Sequence, residues 1–432
     1  MRNVTACPVA GLSPTEPFDV TPYAAALSRH FLRHALTQSL PRKFKIAFDG
    51  CANEGACVGA AFHDIAAIAS VRDGRRGFRF YVGGGLGNTP KPARLFEEWT
   101  DADELLRTSH AIVELFDEKG NRKNRNRARL KFLIADLGWD AFQREVLERR
   151  ERHPRGIALE PLEEKPPTPR PVSPGPVDPA FLRDNVQRQK QPGFHAVTVL
   201  LPLGDITSAQ LRGLADIAAL YADGRVRLTR GQNVLLRWVS DVPGLWRRLR
   251  AFNLAEAGAG TVTDITACPG ADTCNLGITS SKGLAHALRQ SLRDVPSARD
   301  LTIKISGCPN SCGQHHVADI GLHGATRKIG DAEVPCYNLL VGGSPVPVEG
   351  DTEFGVLTTR VAARLVPAAV IAVADVWSRE RAEGERFRDF IVRAGIGRIR
   401  DLLAPFEDGP AVDWGSDQRY VANKAMKGEC AV

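Results

Sequence analysis

The chain repeats itself, and this repeat restricts its possible folds more than any other feature. NVTACPVAG at residues 3–11 returns as DITACPGAD at 264–272, and KIAFDGC at 45–51 shares its glycine and cysteine with KISGCPN at 304–310. YVGGGLG at 81–87 is echoed by LLVGGSP at 339–345. NRARLKFLIADLGWDAFQREV at 126–146 is echoed by ERFRDFIVRAGIGRIRDLL at 385–403. Four matches in the same order, at nearly constant displacement, indicate a duplicated module rather than coincidence.

Between the copies, EKPPTPRPVSPGPVDP at 164–179 carries too much proline for a helix or a central strand and reads as an extended, semi-rigid connector. Residues 194–239 have no counterpart in the first copy. HAVTVLLPL is β-branched and apolar, SAQLRGLADIAALYAD has helical apolar spacing, and VRLTR and NVLLRWV alternate. LWRRLRAFNLAE closes the unit as a second helix. The predicted fold class is α+β: two copies of one module plus one small α+β half-domain. The predicted divisions are 1–153 for the first module, 154–190 for the linker, 191–256 for the half-domain and 257–432 for the second module. A symmetrical duplication predicts a second half-domain before the first module; the chain starts inside a module, so that unit is expected to be missing from it.

Only the second copy has a complete cysteine quartet. Cys268 and Cys274 form C-x5-C, and Cys308 and Cys312 form C-x3-C, in the settings ACPGADTCNLG and SGCPNSCGQHH. An iron–sulfur cluster needs four thiolates on loops that release them toward one point, and the neighbouring glycines and prolines supply the turns. Each pair is predicted to precede a helix, NLGITSSKGLAHALRQSL and GQHHVADIGLH, placing helix N-termini beside the thiolates. Two other readings compete. A structural zinc site also takes four cysteines, but its pairs are usually spaced C-x2–4-C. Inert buried thiols are common, yet four of them seldom fall in two turn-rich pairs. In the first copy Cys7 and Cys51 stand where Cys268 and Cys308 do, but nothing matches Cys274 and Cys57 is out of step. Cys7, Cys51 and Cys57 read as ordinary thiols.

TACPGADTC followed by SGCPNSCGQHHVADIGLHG, taken with the duplication, resembles the sirohaem-dependent nitrite/sulfite reductases of ferredoxin type over nearly the whole chain. The resemblance implies a [4Fe–4S] cluster on Cys268, Cys274, Cys308 and Cys312. Cys312 would bridge to the sirohaem iron, and Asn310 would lie close to the macrocycle. It implies that Arg2, Lys43 and Lys45, from RNVTACP and LPRKFKIAF, face the substrate side. Cationic donors there suit sulfite or nitrite, whose six-electron reduction builds negative charge and consumes protons. The K-x-K alternation of a strand would send both lysines to one face; taken alone, two alternating lysines more often mark a solvated strand, and only the motif context reverses this. No flavin or nicotinamide domain is visible, so reduced ferredoxin or a similar carrier would supply electrons.

Composition fits this reading without requiring it. Lys and Arg outnumber Asp and Glu by 57 to 50, a surplus that attracts anions or an acidic partner. The nine cysteines, the lack of a signal-like N-terminus and the lack of any long apolar run predict a cytoplasmic protein with no membrane partner. NRKNRNRARLK at 121–131 holds six basic residues. Without interleaved aromatics it points away from nucleic acid and toward the sirohaem carboxylates, a ferredoxin dock or a solvated face. YVGGGLG does not open a dinucleotide-binding unit and reads as a tight turn against the cofactor. RLTRGQN at 227–233 resembles the R-x-T-x-x-Q stretch of these reductases. His63, His315 and His316 read as structural. The alternatives are a non-catalytic iron–sulfur electron-transfer subunit, one half of a split reductase, and an oxygenating relative from corrin biosynthesis.

Overall fold

The computed structural model describes residues 1, 3–51, 56–160, 166–329, 332–347 and 354–407. The repeat is explicit in its sheets. β1 (Asn3–Ala6), β2 (Lys45–Asp49), β3 (Ile65–Arg72), β4 (Arg75–Val82) and β5 (Arg94–Asp101) lie side by side in that order. β1, β2 and β3 run parallel, and β4 and β5 follow antiparallel. The β3–β4 hairpin turns on Asp73-Gly74, both with positive φ (+51° and +74°), the pairing a tight two-residue turn requires.

A four-stranded antiparallel sheet comes next in the chain, from β6 (Val186–Arg188), β7 (His195–Val199), β8 (Arg227–Leu228) and β9 (Val234–Val239), in the order β6-β7-β9-β8. Helices Ser208–Tyr221 and Val242–Arg250 accompany it. The first is fixed by a capping box: Gln210 N donates to Thr207 Oγ1 (3.2 Å) and Thr207 N to Gln210 Oε1 (3.1 Å).

The second five-stranded sheet repeats the first in order and direction. It consists of β10 (Thr266–Ala267), β11 (Ile303–Ser306), β12 (Ile320–Ile329), β13 (Ala332–Val341) and β14 (Val356–Ala362). The helical tails match as well. Leu130–Leu137 and Trp139–Arg150 break at Gly138 (φ +80°), and Phe387–Ala394 and Ile396–Leu403 break at Gly395 (φ +81°). Each copy has its own core. Phe48, Phe78, Phe80, Phe116 and Phe142 are fully buried in the first, and Leu322, Tyr337, Leu339 and Phe390 in the second. Each such side chain contributes about 1.5–3 kcal/mol.

Residues 166–178 contain no helix or strand, as their prolines require, yet they are anchored. Ser173 N and Oγ donate to the Asp241 carboxylate at 2.9 and 2.7 Å. The stretch 154–190 also holds a short helix, Pro179–Asn185, and the edge strand β6. Asp178 caps that helix and proline opens it, a start signal present in the sequence. The small unit touches both copies. The Arg227 guanidinium donates to Pro8 O (2.8 Å) and Ala10 O (2.6 Å), while Gln232 exchanges hydrogen bonds with the Ala267 backbone (3.0 and 3.1 Å). Among the described residues no helix is long and apolar enough to cross a membrane.

Candidate cofactor site

Cys268 directly follows β10, and its amide donates to Ile305 O on β11 (3.1 Å). Its sulfur accepts from Gly307 N (3.2 Å) and lies 3.4 Å from Ser281 Oγ, at the first turn of helix Ser281–Leu292. A thiolate there meets the positive end of a helix. Backbones converge tightly around it. A Cβ on Gly307 would stand 2.6 Å from Gly270 Cα, and one on Gly270 (φ +66°) would stand 2.6 Å from Ser281 N.

Cys308 and Cys312 sit on the loop between β11 and β12, where Ser311 and Gln314 adopt positive φ (+60° and +65°). The helix expected after Cys312 does not form. A single 3-10 turn, His315–Val317, leads straight into β12. Gly313 and Gly321 explain this, because a Cβ on either would collide with the carbonyl of Ile305 or His315. The glycines serve close backbone packing rather than a helix. The first pair is followed by a helix as expected, but its N-terminus meets Cys268 rather than the adjacent Cys274.

The Cys312 thiol is pushed up in pKa by burial and then by repulsion from Cys268 and Cys308, and Lys43 opposes this. The quartet therefore shares one electrostatic neighbourhood. Among the described residues, no three of its sulfurs lie mutually within 4.8 Å. Thiolates on one tetrahedral zinc ion stand about 3.8 Å apart. The quartet is thus not gathered as the donors of a single zinc ion would be.

Cys312, Asn310 and Gln314 from the second copy line a cavity of about 800 Å³, faced by Lys43, Lys45, Arg125, Arg129 and Lys131 from the first. Only Lys45 belongs to β2; Lys43 precedes the strand, with buried Phe44 between them. Both lysines nonetheless reach the same cavity. Arg2 lies outside the described residues. The basic run 121–131 divides its labour. Arg122 pairs with Asp117 and Arg127 with Asp136 at the surface, while Arg125, Arg129 and Lys131 turn to the cavity. Arg129 is held by buried Asp64, whose two oxygens each lie 2.9 Å from Nη2, and Asp64 also accepts from Lys45 N (3.0 Å). Lys131 Nζ donates to Leu86 O (3.1 Å) and Thr89 O (2.5 Å) in the loop after YVGGG. Burial, then Arg129, brings its pKa down to about 8.

Two groups in this region escape sequence reasoning. Arg230 donates to Gln314 Oε1 (2.6 Å), Ala56 O (2.9 Å) and Cys57 O (3.4 Å), with its guanidinium 5.9 Å from the Phe62 ring centroid. It ties the loop after Cys312 to the first copy. It occupies a variable position of R-x-T-x-x-Q, so only its contacts reveal it. Asp64 is the other; an acid after Phe62-His63 carries no local signal. Of the histidines, His63 Nδ1 bonds Gly59 O (2.8 Å), His316 Nε2 bonds Gly87 O (3.3 Å) and His315 Nδ1 bonds Ser306 Oγ (2.9 Å). Burial lowers the pKa of His63 and His316 to about 4. Cys7, Cys51 and Cys57, read as ordinary thiols, are brought together with Asp49.

The family model described as "Nitrite and sulphite reductase 4Fe-4S domain" matches residues 1–154 and 258–407, once per copy. The chain belongs to the nitrite and sulphite reductase family. A second model, "Nitrite/Sulfite reductase ferredoxin-like half domain", matches residues 187–252. The chain is 34% identical to the "Ferredoxin--nitrite reductase" of Synechococcus elongatus, over 79% of its own length and 66% of that protein. It is 31% identical to the "Sulfite reductase [ferredoxin] 2" of Mycolicibacterium paratuberculosis, over 92% and 70%. The solved Mycobacterium tuberculosis NirA protein superposes with a TM-score of 0.75 at 27% identity, covering 91% of this chain and 71% of that one. The chain thus spans about two thirds of the length of these relatives.

The cofactors of the family are a [4Fe–4S] cluster and a sirohaem, and the residues present fit both. The open quartet with its sulfur-directed amide suits a cluster. A cavity of about 800 Å³ with a cationic wall suits a large ring bearing many carboxylates.

Proposed function

We propose that the chain carries out six-electron reduction of sulfite to sulfide or of nitrite to ammonia, with reduced ferredoxin as the donor. In this reading Cys268, Cys274, Cys308 and Cys312 hold the cluster, and Cys312 also meets the sirohaem with Asn310 beside it. One observation carries it: Cys312 and Asn310 from one copy share a single cavity with Lys43 and Lys45 from the other.

Bound there, the two cofactors would supply the iron centre and the electron relay. The chain's own residues supply charge and protons. Lys43 and Lys45 neutralise the bound anion and donate as its oxygens leave, with Arg2 as a further donor. Removing one preorganised donor typically costs about 10²–10³ in rate. Arg129, Arg125 and Lys131 offer fixed positive charge to the macrocycle's carboxylates, and Asp64 holds Arg129 in place. The names of the relatives support ferredoxin as partner, and the surplus of basic residues (57 against 50) suits an acidic donor.

The test is anaerobic oxidation of reduced methyl viologen, with sulfite and nitrite supplied separately. Turnover with either anion, slowed at least about tenfold in Lys45→Gln, is expected. No anion-dependent oxidation by a chain that has both cofactors bound would overturn the reading.

A further inference from the structure

The duplication places Cys7 and Cys51 at the same structural corner as two of the quartet. Cys7 N donates to Phe48 O on β2 (2.8 Å), just as Cys268 N donates to Ile305 O on β11 (3.1 Å). Cys51 lies two residues beyond the end of β2, and Cys308 two beyond the end of β11. The first copy then departs from the second. In place of two distant cysteines it has Cys57 and Asp49, and the site contracts.

One ligand atom from each of Cys7, Asp49, Cys51 and Cys57 lies within 4.8 Å of every other. Cys51 Sγ is 3.2 Å from Cys57 Sγ and 3.2 Å from Asp49 Oδ1. That is near the ~3.8 Å separation of donors around one tetrahedral zinc ion, and tighter than the quartet, of which no three sulfurs lie mutually within 4.8 Å. Cys7, Cys51 and Asp49 are buried, Asp49 completely. Its Oδ1 accepts from Gly50 N (2.8 Å) and Cys51 N (3.1 Å), but Oδ2 has no hydrogen-bond partner among the described residues. A buried carboxylate oxygen without a donor costs free energy, and a cation relieves that cost. Arg230, bound to the Ala56 and Cys57 carbonyls, partly balances the negative charge of the deprotonated set.

We propose that Cys7, Asp49, Cys51 and Cys57 bind a single zinc ion at the position where the duplicated copy carries its cluster. Three thiols lose their protons on binding, and the carboxylate completes a closed S3O tetrahedron, so the ion is structural. It fastens the ends of β1 and β2 to the segment that holds Arg230 and, through Arg230, Gln314. A Cys51–Cys57 disulfide is the competing use of these thiols, but it leaves Cys7 and the Asp49 carboxylate unexplained. An iron–sulfur cluster is excluded by the compact spacing.

The test is metal analysis of the full chain, purified anaerobically from zinc-supplemented cells. About one zinc per chain is expected in addition to the cluster iron, falling severalfold in Asp49→Asn and in Cys57→Ser. Cys274→Ser should lose iron and keep the zinc, which distinguishes this site from zinc misplaced in the quartet. If the variants fold poorly, alkylation of the wild-type chain decides. Cys7, Cys51 and Cys57 should resist iodoacetamide until a chelator strips the zinc. Zinc below about a tenth of an equivalent, zinc unaffected by the variants, iron at these thiols, or a Cys51–Cys57 disulfide in the anaerobic protein would each overturn the proposal.

Discussion

Replacing Asp64 with asparagine should separate the stability of the cationic wall from its affinity for anions. Asp64 is fully buried and Arg129 nearly so, and the guanidinium approaches both carboxylate oxygens at 2.9 Å. Asparagine keeps an acceptor for Lys45 N but leaves a buried cation without its counter-charge. Breaking such a pair from one side costs about 3–5 kcal/mol. At roughly 2–4 °C per kcal/mol, the melting temperature should fall by on the order of 10 °C. The cavity, meanwhile, loses a negative charge, so sulfite or nitrite should bind no more weakly to Asp64→Asn than to the native chain. Thermal melts of the two chains, with anion titrations followed in the sirohaem spectrum, measure both effects. The double variant Asp64→Asn with Arg129→Met should melt above the single one, because the stranded charge is removed with the arginine. A single variant that melts within about 1 °C of the native chain, or a double variant that melts lower still, would refute the reasoning.

Gly270→Ala forces a side chain onto a residue with φ +66° and against Ser281 N at 2.6 Å, costing about 2–5 kcal/mol. Cluster iron should fall well below that of the native chain, while Gly395→Ala, which meets no neighbour, should retain it. Lys131 gives a pH signature. Its pKa is about 8 in the folded chain against an ordinary 10.5, so between those values the unfolded chain holds a proton that the folded chain has released. Its contribution to stability therefore rises with pH across that window, while anion affinity falls as the wall loses charge. Lys131→Met should flatten both slopes in melts and titrations run from pH 7 to 10.

Much of this molecule was legible in its sequence because duplication and turn chemistry leave local marks. The four repeated motifs predicted two copies of one module, and the two five-stranded sheets of the structure match in order and direction. VTVLLPL, SAQLRGLADIAALY and NVLLRWV gave the small unit through their periodicities. Readings faltered where a residue type has two uses. GQHHVADIGLH reads as a helix after Cys312, but its Gly313 and Gly321 serve close backbone packing before a strand. Proline density at 164–179 concealed the Asp178-Pro179 helix start. The roles of Arg230 and Asp64 depend on partners 84 and 65 residues away, and no local pattern encodes such contacts. The meeting of Cys7, Asp49, Cys51 and Cys57 likewise arises from β1 pairing with β2, not from their spacing.

The central claim is that Cys312 joins an iron–sulfur cluster to a sirohaem in the cavity shared by the two copies. The most direct test is the absorption spectrum of the anaerobically purified full chain beside its Cys312→Ser variant. The account expects a Soret band and a far-red band in the native chain, both changed by sulfite or nitrite, and both displaced or lost in the variant. A native spectrum showing only the broad shoulder of an isolated cluster, or a variant spectrum identical to the native one, would contradict it.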